Sequence, residues 1–347
     1  MGHKDFNLYA IDCMLGTVSL VYYLLFNILL NLFNIDVWNN FYYFVLSSEN
    51  NNNTGIVTSN YTDTQSAENC EGFSETIRQL SKDEKENIKF YHWLAGIIDG
   101  DGNFDIRKVS NKLKLKTIRI KLHNRDIRIL TRILDYLHIG RIRSDKKKPY
   151  SIFIVSTKEE MKFLINKLNG LIRIKIDGFK KSCEYLNINY IEADYNIKPG
   201  DPYFSGLIDT DGSIVYNYSG NRIECNLEFK ENEYSKKLNI SKTIPNCEPY
   251  IIHRTHKNSN NIYYSIAFKY QNVNHMIHIY DYFMENRLYS DFKFYRVSKI
   301  KPFLVIKHYK NSPKDSLEYK KYKEFILDWV QYKNPTWNKL SYIDKIR

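Results

Sequence analysis

Trp93-Leu94-Ala95-Gly96-Ile97-Ile98-Asp99-Gly100-Asp101-Gly102 and Tyr203-Phe204-Ser205-Gly206-Leu207-Ile208-Asp209-Thr210-Asp211-Gly212 say nearly the same thing, and their reading decides the fold. The first closes a helix-like run that begins near Glu86, and Phe104 and Ile106 open a strand just beyond it. The second leads into Ser213-Ile214-Val215-Tyr216, again strand-like. Asp101 and Asp211 hold the same place in each copy, 110 positions apart, so the chain reads as a duplicated unit.

Spacing gives the pattern a physical reason. Gly96 and Gly100 share one helix face, as do Gly206 and Thr210 in the second copy. A glycine inside a helix costs about 0.5–1 kcal/mol relative to alanine. Two on one face therefore predict an enforced approach closer than the usual interaxial distance of about 8–10 Å. Packing the copies along these faces brings their C-terminal ends together, and Asp101 and Asp211 meet. Paired carboxylates repel unless something positive sits between them. A hard divalent cation, Mg²⁺ or Mn²⁺, is the expected filler, completed by phosphate and water oxygens.

The two stretches resemble the nonapeptide of the LAGLIDADG homing endonucleases and intron maturases. Leu94–Gly102 departs from it at Ile97 and Gly100; Phe204–Gly212 departs at Phe204, Ser205 and Thr210. The resemblance covers the chain from residue 84 onward. It implies an α+β fold of two pseudo-symmetric αββαββα units forming a saddle of antiparallel β-sheets in one monomeric chain. It also implies that Asp101 and Asp211 bind the catalytic metal, and that both strands of a double-stranded DNA site are cut with a stagger across the minor groove. The alternative is an RNA maturase that assists splicing of its own group I intron, or a chain that does both. Retention of both aspartates favours the nuclease.

Composition agrees with a polyanionic partner. The 347 residues carry a formal charge of +12, and neutralisation of phosphates by Lys and Arg supplies most non-specific nucleic-acid affinity. The five cysteines are scattered and odd in number, as free thiols in a reducing compartment are. His253/His256 and His275/His278 lack the further ligands a zinc site needs. Abundant Tyr, Asn, Ile and Lys suggest an AT-rich organellar gene, and the family resemblance places the product in the mitochondrion.

In chain order, residues 1–46 are an apolar segment with no charged side chain from 13 to 35. It is expected to be either a membrane helix, giving membrane association, or a leader derived from the upstream exon. On that segment alone rests a third reading, a membrane protein with a soluble tail. Residues 47–83 read as a polar, largely disordered linker. The first unit spans 84–168, a connector 169–201, the second unit 202–289, and a helical extension 290–347. Alternation predicts hairpins at 103–109 with 117–123 and at 139–143 with 150–155; in the second unit it predicts 213–218 with 222–230 and 250–255 with 262–270. Helices are predicted at 126–138, 158–168, 179–186, 273–287 and 316–331, with a shorter helical stretch at 234–238.

One face of the first sheet then offers Arg107, Arg119, Lys121, Arg141 and Arg143. Such a face lies along DNA, Arg reading guanine edges and Lys holding phosphates. The second sheet presents Arg222, Glu224, Asn226, Glu228 and Lys230, of which Arg222 and Asn226 are its expected DNA contacts, so the halves meet an asymmetric target. Cations near the scissile phosphates should stabilise transition-state charge. Strand-end positions point to Lys269 and Lys230 in the second half and to Lys121 or His123 in the first. Tyr319, Tyr322, Phe325 and Trp329 are read as core rather than as a base-stacking platform.

Overall fold

The computed structural model describes residues 70–109, 112–145, 147–258 and 261–346. The apolar segment at 1–46 and the linker up to 69 lie outside the described residues. Among those described, no helix is long and apolar enough to cross a membrane.

Two four-stranded antiparallel sheets are built on the same plan. Helix α1 (Cys70–Asp101) runs directly into β1 (Gly102–Val109), followed by β2 (Lys112–His123), α2 (Ile127–Leu137), β3 (Arg141–Ser144), β4 (Tyr150–Val155) and α3 (Lys158–Leu168). After α4 (Ile176–Leu186), the plan restarts with α5 (Tyr203–Thr210), β5 (Gly212–Asn217), β6 (Arg222–Lys230), β7 (Tyr250–Asn258), β8 (Asn261–Tyr270) and α6 (Met276–Glu285). Strand orders are β1-β2-β4-β3 and β5-β6-β8-β7. The chain is α+β, as the duplicated motif and its alternation predict. The motif helix starts at Cys70, so the end of the segment read as linker is helical.

α1 and α5 form the axis. Leu94, Ala95, Ile97 and Ile98 of one, and Tyr203, Phe204, Leu207 and Ile208 of the other, are fully buried. A methyl group added at Gly96 would stand 2.2 Å from the Tyr203 carbonyl oxygen, and one at Gly206 would stand 2.1 Å from that of Trp93. Only glycine permits backbone to lie on backbone here. At the next turn a methyl on Gly100 would meet the Thr210 side chain at 2.0 Å.

The units differ in two places. The helical stretch expected at 234–238 is a set of turns. There Asn232 Oδ1 accepts the backbone N–H groups of Tyr234 and Ser235, and Ser235 Oγ accepts that of Asn232, so side chains take the hydrogen bonds a helix would need. The β7–β8 hairpin is also longer than β3–β4. Beyond it, α7 (Asp291–Ser298), α8 (Ile300–Ile306), α9 (Leu317–Gln331) and α10 (Ile343–Ile346) close the chain. Trp329 and Phe303 pack on Tyr216, and Tyr322 shares a hydroxyl hydrogen bond with it, so these aromatic side chains are core.

Candidate active site at the junction of the motif helices

The inner aspartates build the scaffold. Asp99 is buried and accepts the backbone N–H groups of Arg173, Ile174 and Lys175 at 2.7, 3.0 and 2.9 Å. Asp209 accepts those of Tyr289 and Ser290 at 3.0 and 2.9 Å. Each is also held from the opposite helix: the Tyr203 hydroxyl donates to Asp99 at 2.7 Å, and the Trp93 indole N–H donates to Asp209 at 3.0 Å. Trp93 and Tyr203 are the paired leading residues of the two copies, so the copies bind one another by exchanged hydrogen bonds. Asp201 helps start α5 by accepting the Tyr203 N–H at 2.9 Å.

Holding those loops delivers two lysines to the ends of the motif helices. Lys175, at the head of α4, donates its ammonium to the carbonyls of Gly100 and Gly102. Lys293, in α7, donates to Ile208, Asp209 and Thr210 at 2.8, 2.9 and 3.0 Å. The last carbonyls of a helix have no partner within it, and a cation there also complements the negative end of the helix dipole. Both lysines have lowered pKa values, chiefly through burial.

Asp101 and Asp211 stand between these lysines. Burial raises the Asp101 carboxyl above its ordinary value, and the Lys175 and Lys293 charges pull it back. Burial pushes Asp211 up to about 6, aided by the negative charge of Asp101 and opposed by Lys175 and Lys293. Two carboxylates and two ammonium groups thus form one coupled cluster where the helices end. A region that gathers two acids of raised pKa beside two buried cations is primed for a further positive charge or for a polyanion.

The strands set what surrounds this cluster. Arg107, Arg141 and Arg143 are exposed on the first sheet, with Arg119 half-buried beside Asn103. Asp105 pairs with Arg107 at 2.9 Å and with Arg119 at 3.4 Å. Lys121 lies 3.8 Å over the Tyr150 ring. On the second sheet both arginines are matched by carboxylates. Glu224 takes Arg222 at 2.7 Å and Asn217 at 2.9 Å. Glu228 takes Arg254 at 2.7 Å and Ser265 at 2.6 Å.

Among the residues picked from the sequence, Asp101, Asp211, Gly96, Gly100, Gly206 and Thr210 come together at the helix pair. Lys269 pairs across strands with Asn226, Lys230 pairs with Ser265 at the end of β6, and His123 caps a turn by accepting the Arg125 N–H at 3.1 Å. The cations whose charges act on the two carboxylates are Lys175 and Lys293. Sequence reasoning missed both. Their usable signal was the inner aspartate of each motif, which needs buried N–H partners and so implies a loop folded back against the helix end. Cys183, Cys225 and Cys247 are free and buried.

Fold and site together define the class: a duplicated single-chain protein whose paired motif helices each deliver an aspartate to a shared junction. Residues 94–186 match the family described as LAGLIDADG endonuclease. It is similar to the intron-encoded RNA maturase bI4 of Saccharomyces cerevisiae, at 37% identity over 147 residues, which are 42% of this chain and 22% of that protein. It is also similar to the intron-encoded DNA endonuclease aI3 of the same yeast, at 22% identity over 196 residues, 46% of this chain and 47% of the relative. The chain thus spans about a fifth to a half of the length of these curated relatives. Among solved structures, the LAGLIDADG meganuclease I-AabMI bound to uncleaved DNA aligns with a TM-score of 0.45 at 16% identity, covering 68% of this chain and 97% of that one.

Proposed function

We propose that this chain is a site-specific DNA endonuclease of an organellar, mitochondrial intron, hydrolysing one phosphodiester bond on each strand of a double-stranded target. The observation that carries the reading is the coupled cluster of Asp101 and Asp211 with Lys175 and Lys293. Both motifs come from one chain, so a monomer is sufficient.

The donor set fits a hard divalent cation. Asp101 and Asp211 offer carboxylate oxygens, and among the described residues no group of three or more His, Cys, Asp or Glu side chains could hold a metal ion. Two carboxylates leave room for phosphate and water oxygens, as Mg²⁺ or Mn²⁺ accepts. When bound there, the cation would polarise a phosphoryl oxygen and lower the pKa of an attacking water. The chain's own contribution is positional. Lys293 spends its three donors on carbonyls and acts as fixed charge, whereas Lys175 uses two and can give its third to a phosphate oxygen. Arg107, Arg119, Arg141 and Arg143 hold the duplex along the first sheet, and Arg222 and Asn226 contact it from the second.

The test is incubation of the purified chain with Mg²⁺ and DNA spanning the intron-free insertion site, alongside Asp101→Asn and Asp211→Asn. Linear product from the parent, with nicked or uncut DNA from the variants, is the expected outcome. The second reading, an RNA maturase acting on its own group I intron, is favoured by the 37% identity to a protein named as one. Stimulated splicing with no cutting would replace the first reading by the second.

A further inference from the structure

Both halves carry a lysine at the helix junction, but among the described residues only Lys293 lies in a helix whose capping residue is hydrogen-bonded by a carboxylate of the other half. From the turn after β2, Asp126 of the first unit reaches Ser290, which precedes α7. Asp126 is 7% exposed and accepts the Ser290 hydroxyl proton. Ser290 is a fulcrum. Its backbone N–H donates to Asp209 at 2.9 Å, and its oxygen accepts the Lys293 N–H at 3.4 Å as the cap of α7. The neighbouring residues follow suit: Arg128 donates to Asp291 at 2.7 Å, and the Arg125 guanidinium lies 4.9 Å over the Phe292 ring. Three residues of the first unit, Arg125, Asp126 and Arg128, therefore touch three consecutive positions just beyond the second unit, 290–292, with Lys293 next in line. The reciprocal contact is weaker. The Tyr234 hydroxyl donates to Asp177 in α4 at 3.1 Å on the exposed surface, two residues beyond Lys175.

We infer that Asp126 is a positioning residue that holds Lys293 against the second motif helix from across the unit boundary. Lys175 is set through Asp99, whose carboxylate accepts its backbone N–H together with those of Arg173 and Ile174. The consequence rests on the nuclease reading: the cut served by Lys293 depends on the first unit being in place, while the cut served by Lys175 does not depend on the second unit in the same way. The two strands are then cut by inequivalent, coupled sites.

Two measurements separate this inference from the nuclease reading. The first needs no cleavage. The full chain, its Asp126→Asn and Ser290→Ala variants are pulsed with an acetylating reagent, and lysine modification is read by mass spectrometry. Lys293 should react about tenfold faster in either variant, the scale of one charge-assisted hydrogen bond lost in a buried setting, while Lys175 stays within about twofold of the parent. Equal acceleration at both lysines means a merely structural role, and no acceleration at either means no role; each overturns the inference. The second uses end-labelled target DNA with Mg²⁺. Asp126→Asn should slow by about tenfold the strand that Lys293→Met slows most, leaving the other within about twofold, so nicked product accumulates. Equal slowing of both strands, with Lys293 reactivity unchanged, overturns the inference. Failure of the parent to cut overturns the nuclease reading, and the acetylation result still decides the role of Asp126.

Discussion

Lys175 and Lys293 do the same work by different routes. Lys175 is the third of three consecutive residues whose N–H groups Asp99 receives; Lys293 lies three residues past Ser290, inside a helix. The position 110 beyond Lys175 is Glu285, a surface residue paired with Lys89. Duplication has therefore preserved the electrostatic requirement at the helix end and let the register drift. Motif helices touch backbone to backbone and cannot drift, because a single methyl group breaks the contact.

The sharpest break follows from that contact. Gly96→Ala or Gly206→Ala forces carbonyl oxygen and methyl apart from 2.2 or 2.1 Å, which neither helix can relieve by rotating a side chain. Loss of more than about 4 kcal/mol is expected, read as an insoluble chain or a collapsed urea midpoint. At Gly100 the clash is with the Thr210 side chain instead, so Gly100→Ala should cost less, about 1–3 kcal/mol, and Thr210→Gly should recover most of it. Equal damage at Gly96 and Gly100 would mean that the helices are held by something other than the glycine face.

Next come the lysines themselves. Lys175→Met and Lys293→Met should each lower cleavage by about 100-fold, as loss of one preorganised charge at a reacting phosphate does. Stability should separate them. Lys293 is 8% exposed and satisfies three carbonyls, so its variant should also melt several degrees lower, whereas the Lys175 variant leaves fewer groups unpaired. Equal melting temperatures would erase the distinction drawn between fixed charge and phosphate donor.

The sheets repeat the contrast in a gentler form. Among the described residues, Arg141 and Arg143 on β3 have no carboxylate within ion-pair distance, while Arg254 on β7 is neutralised by Glu228 at 2.7 Å. Arg141→Ala or Arg143→Ala should reduce the slope of log affinity against log salt by about 1, one phosphate contact each. Arg254→Ala should change that slope by less. An equal change would show that the Glu228 pair opens on DNA.

Legibility in the sequence followed the same division. Strands and their faces were readable because Ile118, Ile120 and Leu122 alternate with Arg119 and Lys121, and burial of one face fixes the register. The helix junction was readable because glycine inside a helix is costly and rarely accidental. Three features were not. The turns at 232–238 depend on Asn232 and Ser235 competing with a weak helix. Lys175 and Lys293 were invisible because their partners are backbone carbonyls, which leave no trace in residue type. Asp126 was invisible because its partner, Ser290, is 164 positions away, beyond the second unit.

The smallest expected effect is also the one whose sign is easiest to get wrong. Asp211 has a folded-state pKa of about 6 against an ordinary 3.8, so the folded chain holds this proton more tightly than the unfolded one. Stability from that preference is fully present below the ordinary value and is lost as the pH rises through about 6. Without metal, Asp211→Asn should therefore raise the melting temperature at pH 8 by about 1–3 °C, discounted for solvent screening, and change nothing below about pH 4. Added Mg²⁺ should invert the order at pH 8, since the parent binds it through the ionised carboxylate and the variant does so poorly. Each cation bound must displace the residual proton, so Mg²⁺ stabilisation of the parent should fade as the pH falls through about 6. A melting curve on which Asp211→Asn is neutral at every pH, with and without Mg²⁺, would leave the carboxylate pair a helix terminus and no more.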